Sequence, residues 1–314
     1  MKRAIITGAG GFIGSALTRK LIENGVDVVA ISRRFSSDFP TTDSSMNSSI
    51  KKFEIEISEE KDLLNVIPHD GHKEHDEYNE YDAFYHLAWK GVNGKDKADT
   101  IVQIDNIRTT LNCASVAKKL GCKKFLCSGT IAEQAVNSLP ELKKTNPGML
   151  YAVAKHCTHL LLETYCKAVG QDFIWMQFSN VYGPKNKTGN LVSYTIGELL
   201  AGREATFGPA LQPYDFVFID DLIEAVYSLG VKEKKEIKKN FYYIGSGQTR
   251  ILRDYLLEIG KILDKPELVK IGIRPNDGIS YTEDMFDISS LVSEIGRYNK
   301  TTFTDGIKLT LDGF

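Results

Sequence analysis

"RAIITGAGGFIG", residues 3–14, decides how this chain folds. A short apolar run ends at Thr7, and Gly8, Gly11 and Gly14 follow it at intervals of three. Glycines at the turn between a strand and a helix let the chain bend sharply, let backbone N–H groups approach a pyrophosphate, and let the helix pack close to the strand. If strands and helices alternate beyond it, this stretch predicts a dinucleotide-binding turn; otherwise it is a tight turn that binds nothing.

Further apolar runs recur along the chain with room for a helix between them: "DVVAIS", "KKFEIEI", "DAFYHLA", "KKFLCSG" and "DFIWMQFS". Several are apolar almost throughout, which is typical of parallel strands covered on both faces. The clearest amphipathic segment is 99–120, where apolar residues recur every three or four positions. This alternation predicts an α/β fold with a doubly wound parallel sheet and right-handed crossovers.

The alternation becomes irregular after about residue 178, which indicates a second, smaller part of the molecule. We expect a dinucleotide-binding domain over 1–178 with a returning segment at about 214–247, and a discontinuous α/β substrate-binding domain over 179–213 and 248–314. Two polar stretches, 35–49 and 68–81, are predicted to be surface loops.

The composition is that of a soluble globular protein, with 42% hydrophobic residues, 25% charged residues and a formal net charge of −2. Such a charge gives no general attraction to nucleic acid or to a membrane surface. No apolar run approaches the roughly 18 residues that span a bilayer, and no cleavable signal precedes the first strand, so we expect a cytoplasmic protein. The five cysteines lack paired spacing, and His69, His72 and His75 lie among charges with no cysteine nearby, so we predict neither disulfides nor a metal site.

The end of the second predicted strand bears on which dinucleotide binds. "VVAISRR" places Ser32, Arg33 and Arg34 where an NAD-preferring site has a carboxylate for the ribose 2′-hydroxyl. Two cations there match a 2′-phosphate, so we predict NADP(H) and keep NAD as the alternative. The other interpretation is that the two arginines only begin an exposed loop. Glu56, at the end of the alternating strand "FEIEI", could accept a hydrogen bond from the adenine amino group.

In their order along the chain, these motifs resemble the extended short-chain dehydrogenase/reductases, specifically the nucleotide-sugar epimerase, dehydratase and reductase group. "TGAGGFIG" resembles that family's TGxxGxxG loop, "YHLAW" the segment beside its cofactor, and "YAVAK" at 151–155 its YxxxK motif. "FLCSGT" resembles the strand that carries a catalytic Ser or Thr, and "SNVYGP", "FVFIDD" and "IRPND" resemble landmarks of the substrate domain. The resemblance spans nearly the whole chain and implies an NAD(P)-dependent enzyme of Rossmann-type fold that acts on a nucleotide sugar.

The YxxxK resemblance implies roles that spacing alone leaves open, because a Tyr and a Lys four positions apart also suit a solvated helix face. In the family, the tyrosine exchanges a proton with a sugar hydroxyl while the nicotinamide exchanges hydride with the same carbon. The resemblance makes Tyr151 the acid/base, and Lys155 the cation that lowers the phenol's pKa and holds the nicotinamide ribose. It makes Thr130 the third catalytic residue, the alternative being a strand-end hydroxyl that is satisfied locally.

The resemblance also implies the remaining contacts. The predicted cofactor-binding residues are Gly8, Gly11, Phe12, Ile13, Gly14, Ser32, Arg33, Arg34, Glu56, Leu87, Ala88, Asn106, Ser128, Tyr151 and Lys155. The predicted substrate-binding residues are Thr130, Asn180, Phe207 and Arg274. Asn180 and Arg274 resemble the residues that bind the substrate's diphosphate. Tyr214 stands where the family often has Arg, so one phosphate contact is either missing or supplied from elsewhere, for example by Arg203.

Three reactions of the group can be weighed, and residues near Thr130 decide the first of them. A 4,6-dehydratase needs an Asp-Glu pair directly after this position, whereas Ile131 and Ala132 follow it and Glu133 comes one residue too late. A 4-ketoreductase that consumes NADPH and a 4-epimerase that retains NAD(P) remain. The arginines at the end of the second strand favour the reductase. A non-catalytic NADP-binding sensor or scaffold is the third alternative, although such proteins typically lose the Tyr or the Lys.

The resemblance finally implies a homodimer held by a four-helix bundle. Segment 99–120 has the apolar stripe that such a bundle needs, and the YxxxK helix offers Val153, Leu160, Leu161 and Val169. The alternative is that these side chains only cover the sheet.

Overall fold

Strands and helices alternate through the first half of the computed structural model, which describes residues 1–42, 48–69, 81–141, 146–186, 188–275 and 281–314. The strands are β1 (Arg3–Thr7), β2 (Asp27–Ser32), β3 (Ile50–Glu54), β4 (Ala83–His86), β5 (Lys124–Thr130), β6 (Asp172–Phe178), β7 (Asn180–Tyr182), β8 (Ala205–Thr206), β9 (Pro213–Tyr214), β10 (Phe216–Phe218), β11 (Phe241–Ile244), β12 (Arg250–Ile251) and β13 (Val269–Lys270). The α-helices are α1 (Phe12–Glu23), α2 (Glu60–Leu64), α3 (Thr100–Lys119), α4 (Met149–Val169), α5 (Leu191–Leu200), α6 (Ile219–Val231), α7 (Leu252–Ile262), α8 (Ser289–Ile295) and α9 (Phe303–Leu311). Short 3-10 helices span Lys95–Ala98, Ile131–Glu141, Lys234–Glu236, Pro266–Leu268 and Glu283–Phe286.

Seven strands form the central sheet in the order β11-β6-β5-β4-β1-β2-β3, and their pairings are parallel. Successive side chains of a strand serve opposite faces, so Ile5 and Ile6 belong to two different hydrophobic clusters. Helix α1 adds Leu17 to the cluster of Ile6, and α3 adds Val116 to the cluster of Ile5. The predicted doubly wound parallel sheet is confirmed, because helices cover both of its faces.

The third strand is shorter than predicted. Strand β3 stops at Glu54, which pairs with Ser32, the last residue of β2, so Glu56 follows the strand and does not end it. The prediction of a strand through Glu56 was wrong because the neighbouring strand leaves nothing to pair with beyond that point. Among the described strands β3 is the outermost on its side, and its Lys51 and Lys52 are exposed.

Segment 99–120 forms the predicted helix. Asp99 caps α3 with a side-chain oxygen that accepts from the backbone N–H of Val102 at 3.0 Å. Helix α4, which carries the YAVAK residues, ends at Gly170 in the left-handed conformation at φ +65°, where glycine is favoured.

The second half of the chain passes repeatedly between the central sheet and a smaller part. Strand β10 pairs with β7, β12 with β9, and β13 with β8, each pair forming a small sheet of its own. Between them, β11 returns to the central sheet beside β6. The buried Asp215 secures the crossing, since its carboxylate accepts from the Tyr243 hydroxyl at 2.7 Å and from the Ser246 N–H at 2.9 Å.

Some predictions fall partly outside the described residues. The polar stretch 68–81 lies mostly there, including His72 and His75, as does part of 35–49. Within the described ranges, no helix is long and apolar enough to cross a membrane. The same part of the chain holds no group of three or more His, Cys, Asp or Glu side chains suited to a metal ion.

Candidate active site

The glycine-rich turn at the start of α1 leaves no room for side chains. A Cβ on Gly8, whose φ is +75°, would lie 2.6 Å from the Ala88 nitrogen, and one on Gly14 would lie 2.2 Å from the Gly8 oxygen. Gly11 caps α1 without a side-chain hydrogen bond, so the first-turn N–H groups at Phe12 and Ile13 keep their capacity for a ligand. A narrow backbone cradle at a helix N-terminus fits a phosphate group.

A cavity of about 320 Å³ opens at the carboxyl ends of β1, β2 and β4. The predicted cofactor residues that line it are Gly8, Gly11, Ser32, Arg33, Glu56, Leu87, Ala88 and Asn106. Asn106 fixes part of the wall, because its amide donates to the Lys90 carbonyl at 2.7 Å and accepts from the Lys90 N–H at 2.9 Å. A cavity beside a phosphate cradle, at the ends of parallel strands, suits a dinucleotide.

The two arginines after β2 are placed differently. Both are exposed, but only Arg33 is among the residues that line the cavity. The backbone of Arg34 turns against the glycine loop, where its carbonyl lies 2.2 Å from the position of a Cβ on Gly10. A third guanidinium, that of Arg108 on α3, also lines the cavity and bonds to Asp105 at 3.0 Å. Sequence reasoning missed Arg108, although it lies two positions after Asn106.

Thr130, Tyr151 and Lys155, the residues predicted to be catalytic, lie in one region of the structure. Thr130 ends β5, and its side chain lies near the Tyr151 phenol in the first turn of α4, where it opposes the rise that burial causes in the pKa of that phenol. The Lys155 ammonium, whose side chain is 2% exposed, donates to the Ser128 carbonyl at 2.6 Å. The remaining predicted cofactor residues lie in two places. Phe12, Ile13 and Gly14 are in the first turn of α1, and Ser128, Tyr151 and Lys155 are at the end of β5 and the start of α4.

Burial and neighbouring groups set the pKa values of Lys155 and Tyr151. Burial lowers the pKa of Lys155 to about 8, an effect opposed by Cys127 and Glu133. Burial raises the pKa of the Tyr151 phenol, and the hydrogen bond with Thr130 lowers it. A lysine with a pKa near neutrality exchanges its proton within the working range of an enzyme.

Glu133 lies directly behind Thr130, a placement that sequence reasoning did not anticipate. Its carboxylate is 2% exposed and accepts from the Thr130 N–H at 2.6 Å and from the Trp175 indole at 3.1 Å. Burial raises its pKa to about 7. From the sequence we gave Glu133 no role, because it comes one position too late for a dehydratase pair. In the structure, the 3-10 helix after β5 turns it back beneath the end of that strand.

His86 is buried at the end of β4, in the middle of the central sheet. Its two ring nitrogens lie 2.7 Å from the Thr7 hydroxyl and 3.0 Å from the Thr110 hydroxyl. Burial lowers its pKa from the ordinary 6.5 to about 3. The imidazole therefore stays neutral and links β4 to β1 and α3.

A second cavity, of about 300 Å³, lies in the smaller part of the molecule and is lined by Phe207, Tyr214 and Arg274, among others. The Arg274 guanidinium donates to the Thr206 hydroxyl at 2.9 Å and to the Tyr194 hydroxyl at 2.8 Å. These bonds hold one edge of the planar Arg274 guanidinium, a group whose paired N–H donors suit a phosphate.

Asn180 lies beside this cavity and is coupled to it through Tyr214. The Tyr214 hydroxyl donates to the Asn180 side-chain oxygen at 2.9 Å, and the Asn180 amide donates to the Asp215 carbonyl at 3.2 Å. Tyr214, which stands where the resembling family often has Arg, thus orients Asn180. Arg203 forms a two-bond ion pair with Glu198, at 2.9 and 2.8 Å, on the surface.

Comparison with known proteins identifies the family of this chain. The model of the family described as "NAD dependent epimerase/dehydratase family" matches residues 4–245. A putative UDP-glucose 4-epimerase of Methanocaldococcus jannaschii is 28% identical over 233 residues, which cover 70% of this chain and 71% of that protein. The UDP-glucose 4-epimerase of Mycolicibacterium smegmatis is 28% identical over 242 residues, 73% of each chain.

Solved structures share the fold over nearly the whole chain. UDP-glucose 4-epimerase of Thermus thermophilus, in complex with NAD, superposes with a TM-score of 0.75 at 19% identity and covers 99% of this chain and 97% of that one. An NAD-dependent NDP-hexosamine 5,6-dehydratase of tunicamycin biosynthesis gives the same TM-score at 22% identity, with 99% and 97% covered.

Proposed function

This chain belongs to the NAD dependent epimerase/dehydratase family, and we propose that it is a nucleotide-sugar 4-epimerase that uses a retained NAD(P). The observation that carries the proposal is the grouping of Thr130, Tyr151 and Lys155 beside Trp89, a residue that lines the cavity. Two relatives described as UDP-glucose 4-epimerases support the choice of reaction. The Ile131 and Ala132 side chains after Thr130 argue against 4,6-dehydration.

Each of these side chains has a distinct task at the sugar. The Tyr151 side chain removes the proton of the sugar's C4 hydroxyl as the phenolate and later returns it as the phenol, and the Thr130 hydroxyl shares the same oxygen. Lys155 holds a positive charge beneath the phenol, which favours the phenolate. A nicotinamide bound in the neighbouring cavity would supply the hydride chemistry at C4, and inversion would require the sugar to present its opposite face between removal and return of the hydride.

Arg274, Phe207 and Asn180 are proposed to hold the nucleotide diphosphate. Arg274 has its Nε and one terminal nitrogen engaged by Thr206 and Tyr194, which fixes the guanidinium plane. Asn180 is oriented by Tyr214 and not by an arginine. The smaller domain, 179–213 with 248–314, is proposed as the substrate domain, and 1–178 with 214–247 as the dinucleotide domain.

A second candidate function is an NADPH-dependent 4-ketoreductase. It is favoured by Arg33, which lines the cavity where a carboxylate would suit NAD. Arg108 adds a further cation to the same cavity. For this reason we keep NADP(H) as the proposed cofactor preference, with NAD as the alternative.

A homodimer is also proposed. Four of the side chains predicted for a helical interface are exposed on α3 and α4 and do not cover the sheet: Ile101 (67%), Ile104 (54%), Leu160 (54%) and Leu161 (45%). Other members of the same stripe, such as Ala114 and Ala117, are buried against the sheet. Two apolar helix faces in one molecule suit a second copy of the chain, which would complete a four-helix bundle.

The reaction can be tested directly with UDP-glucose and UDP-galactose, followed by proton NMR of the sugar anomeric signals. Interconversion without added cofactor, lost in Tyr151→Phe, is the expected result. Mass identification of the nucleotide released by denaturation reports which cofactor was retained. No interconversion, together with stoichiometric NADPH consumption on a 4-keto nucleotide sugar, would replace the epimerase by the reductase.

A further inference from the structure

Trp89 contacts both residues of the proposed catalytic pair. It follows β4, and its indole centroid lies 3.8 Å from the Lys155 ammonium nitrogen. The same indole meets the Tyr151 ring edge to face, with centroids 6.2 Å apart and planes at 81°. The side chain is half-buried and lines the cofactor cavity. One aromatic ring therefore touches the acid/base and its cation at the same time.

The position of this indole is fixed by α3. The Trp89 ring nitrogen donates to the Gln103 side-chain oxygen at 3.0 Å. Gln103 is 2% exposed, and its amide donates to the Gly91 and Asp96 carbonyls, both at 3.0 Å. The two carbonyls fix the side-chain amide of Gln103, and its oxygen in turn fixes the indole. The ring face of Trp89 therefore stays against the Lys155 ammonium.

The Lys155 ammonium needs such a partner. Its side chain is 2% exposed, and its two hydrogen bonds, to the Ser128 carbonyl at 2.6 Å and to the Ser128 hydroxyl at 3.5 Å, do not replace a full hydration shell. The face of an indole carries negative potential and attracts a cation, most strongly where water is excluded. Trp175, the other tryptophan of the chain, is farther away, with its ring centroid 5.9 Å from the same nitrogen.

The ionisable groups that surround Lys155 do not supply this stabilisation alone. His86 on β4 stays neutral, since burial lowers its pKa to about 3, and Cys127 on β5 stays a thiol, since burial raises its pKa to about 12. Tyr151, on the same helix, is a neutral phenol in the resting site because burial raises its pKa. Cys127 and, after β5, Glu133 are the neighbouring groups that favour the ammonium.

We propose that Trp89 is a positioning residue that keeps Lys155 protonated and directed towards Tyr151. The indole acts on the reaction only through the lysine. The proposal deepens the proposed function, because it assigns a further residue to the Thr130, Tyr151 and Lys155 site. The contact itself, and its effect on the lysine's charge, hold whichever reaction the site performs.

The test measures the charge of Lys155 without relying on turnover. In protein labelled with 15N-lysine, the side-chain nitrogen signal of Lys155 is assigned by its absence in Lys155→Met and titrated with pH. Trp89→Leu is expected to raise the acid dissociation constant of Lys155 about tenfold, which is one pKa unit downwards. Trp89→Phe is the matched control, because it also lacks the bond to Gln103 but keeps a π face, and it is expected to show less than half of that shift.

Two results would overturn the proposal: an unchanged Lys155 titration in Trp89→Leu, or equal shifts in the Leu and Phe variants, which would mean that packing alone matters. If the Leu variant does not fold, mono-, di- and trifluorotryptophan are incorporated in a Trp175→Phe background, where Trp89 is the one site labelled. Fluorine withdraws π density at nearly constant shape, so the Lys155 pKa must fall stepwise with fluorine number. A flat series would refute the role of the ring face.

The pH dependence of turnover provides a second, independent measurement. If the enzyme interconverts nucleotide sugars, the alkaline limb of its kcat profile is expected to move to lower pH in Trp89→Leu, by the same interval as the Lys155 titration. An inactive wild-type protein would count against the proposed function alone, since the NMR titration would still decide the role of Trp89.

Discussion

Replacing Arg33 and Arg34 one at a time tests whether the cofactor carries a 2′-phosphate. The two residues are adjacent, exposed and equally charged, yet only Arg33 lines the cavity. We therefore expect Arg33→Ala to weaken NADPH binding, and Arg34→Ala, its matched control, to leave NADPH binding nearly unchanged. NADH has no phosphate at that position, so its affinity is expected to stay the same in both variants.

The size of the effect follows from the exposure of Arg33. A charge-assisted hydrogen bond contributes about 1.5 to 3 kcal/mol, and solvent around an exposed guanidinium reduces this to the lower end. The expected loss is about tenfold in the NADPH dissociation constant. Ser32→Asp should go further and favour NADH, because a carboxylate accepts from the free 2′-hydroxyl and repels a phosphate.

Isothermal titration at fixed salt, with each variant and both cofactors, provides the dissociation constants. Equal losses in Arg33→Ala and Arg34→Ala would refute the reasoning from the cavity lining. Equal affinity of the wild-type protein for NADH and NADPH would remove the basis for an NADP preference and for the reductase alternative. Arg108→Ala extends the test to the third cation of the cavity.

Three further predictions address the catalysis, the stability and the assembly of the protein. Tyr151→Phe is expected to lower turnover by about a hundredfold or more while cofactor affinity stays nearly constant, because only the proton-transferring hydroxyl is lost; a variant that keeps more than half of the wild-type turnover would contradict the assignment. The folded-state pKa of His86 is depressed from 6.5 to about 3, so its contribution to stability is present above pH 6.5 and is lost as the pH falls towards 3. Urea unfolding should show that the free energy of unfolding of the wild-type protein falls by about 3 kcal/mol between pH 6.5 and pH 4, and that this fall is missing in His86→Gln. Equal falls in both proteins would rule out His86 as the cause. Leu160→Glu is expected to give a monomer in light scattering, and Leu200→Glu, a comparably exposed leucine on α5, should leave the dimer intact; a monomeric wild-type protein would overturn the assembly.

Local pattern was enough to predict most of the central sheet and the helix at 99–120. Glycine spacing, apolar runs and a capping Asp99 act over a few residues, so their structural consequences follow from the sequence itself. The roles of the YxxxK pair came from the family resemblance, because a Tyr and a Lys four positions apart on one helix also suit a solvated face. The end of β3 could not, because it depends on where β2 ends, a fact of pairing between segments about 20 residues apart.

The side chains that sequence reasoning missed owe their places to contacts distant in sequence. Trp89 meets Lys155 across 66 positions, and Glu133 meets Trp175 across 42. Neither contact leaves a periodic trace in the sequence. Likewise, Arg33 and Arg34 are adjacent residues of the same type, so the sequence does not separate them. The path of the backbone after β2 decides that Arg33 lines the cavity. Sequence indicated the chemistry of the site, and the fold decides which residues reach it.

The outer strand β3 has a consequence for how copies of this protein meet in a crowded solution. An uncovered strand edge is a template onto which another strand can add, and such addition leads to aggregation. Lys51 and Lys52 are exposed on β3, so two β3 strands that approached each other would bring four ammonium groups together. This repulsion disfavours growth of the sheet from one molecule into the next. Replacing both lysines with valine is therefore expected to lower solubility, measured as the protein remaining in the supernatant at high concentration.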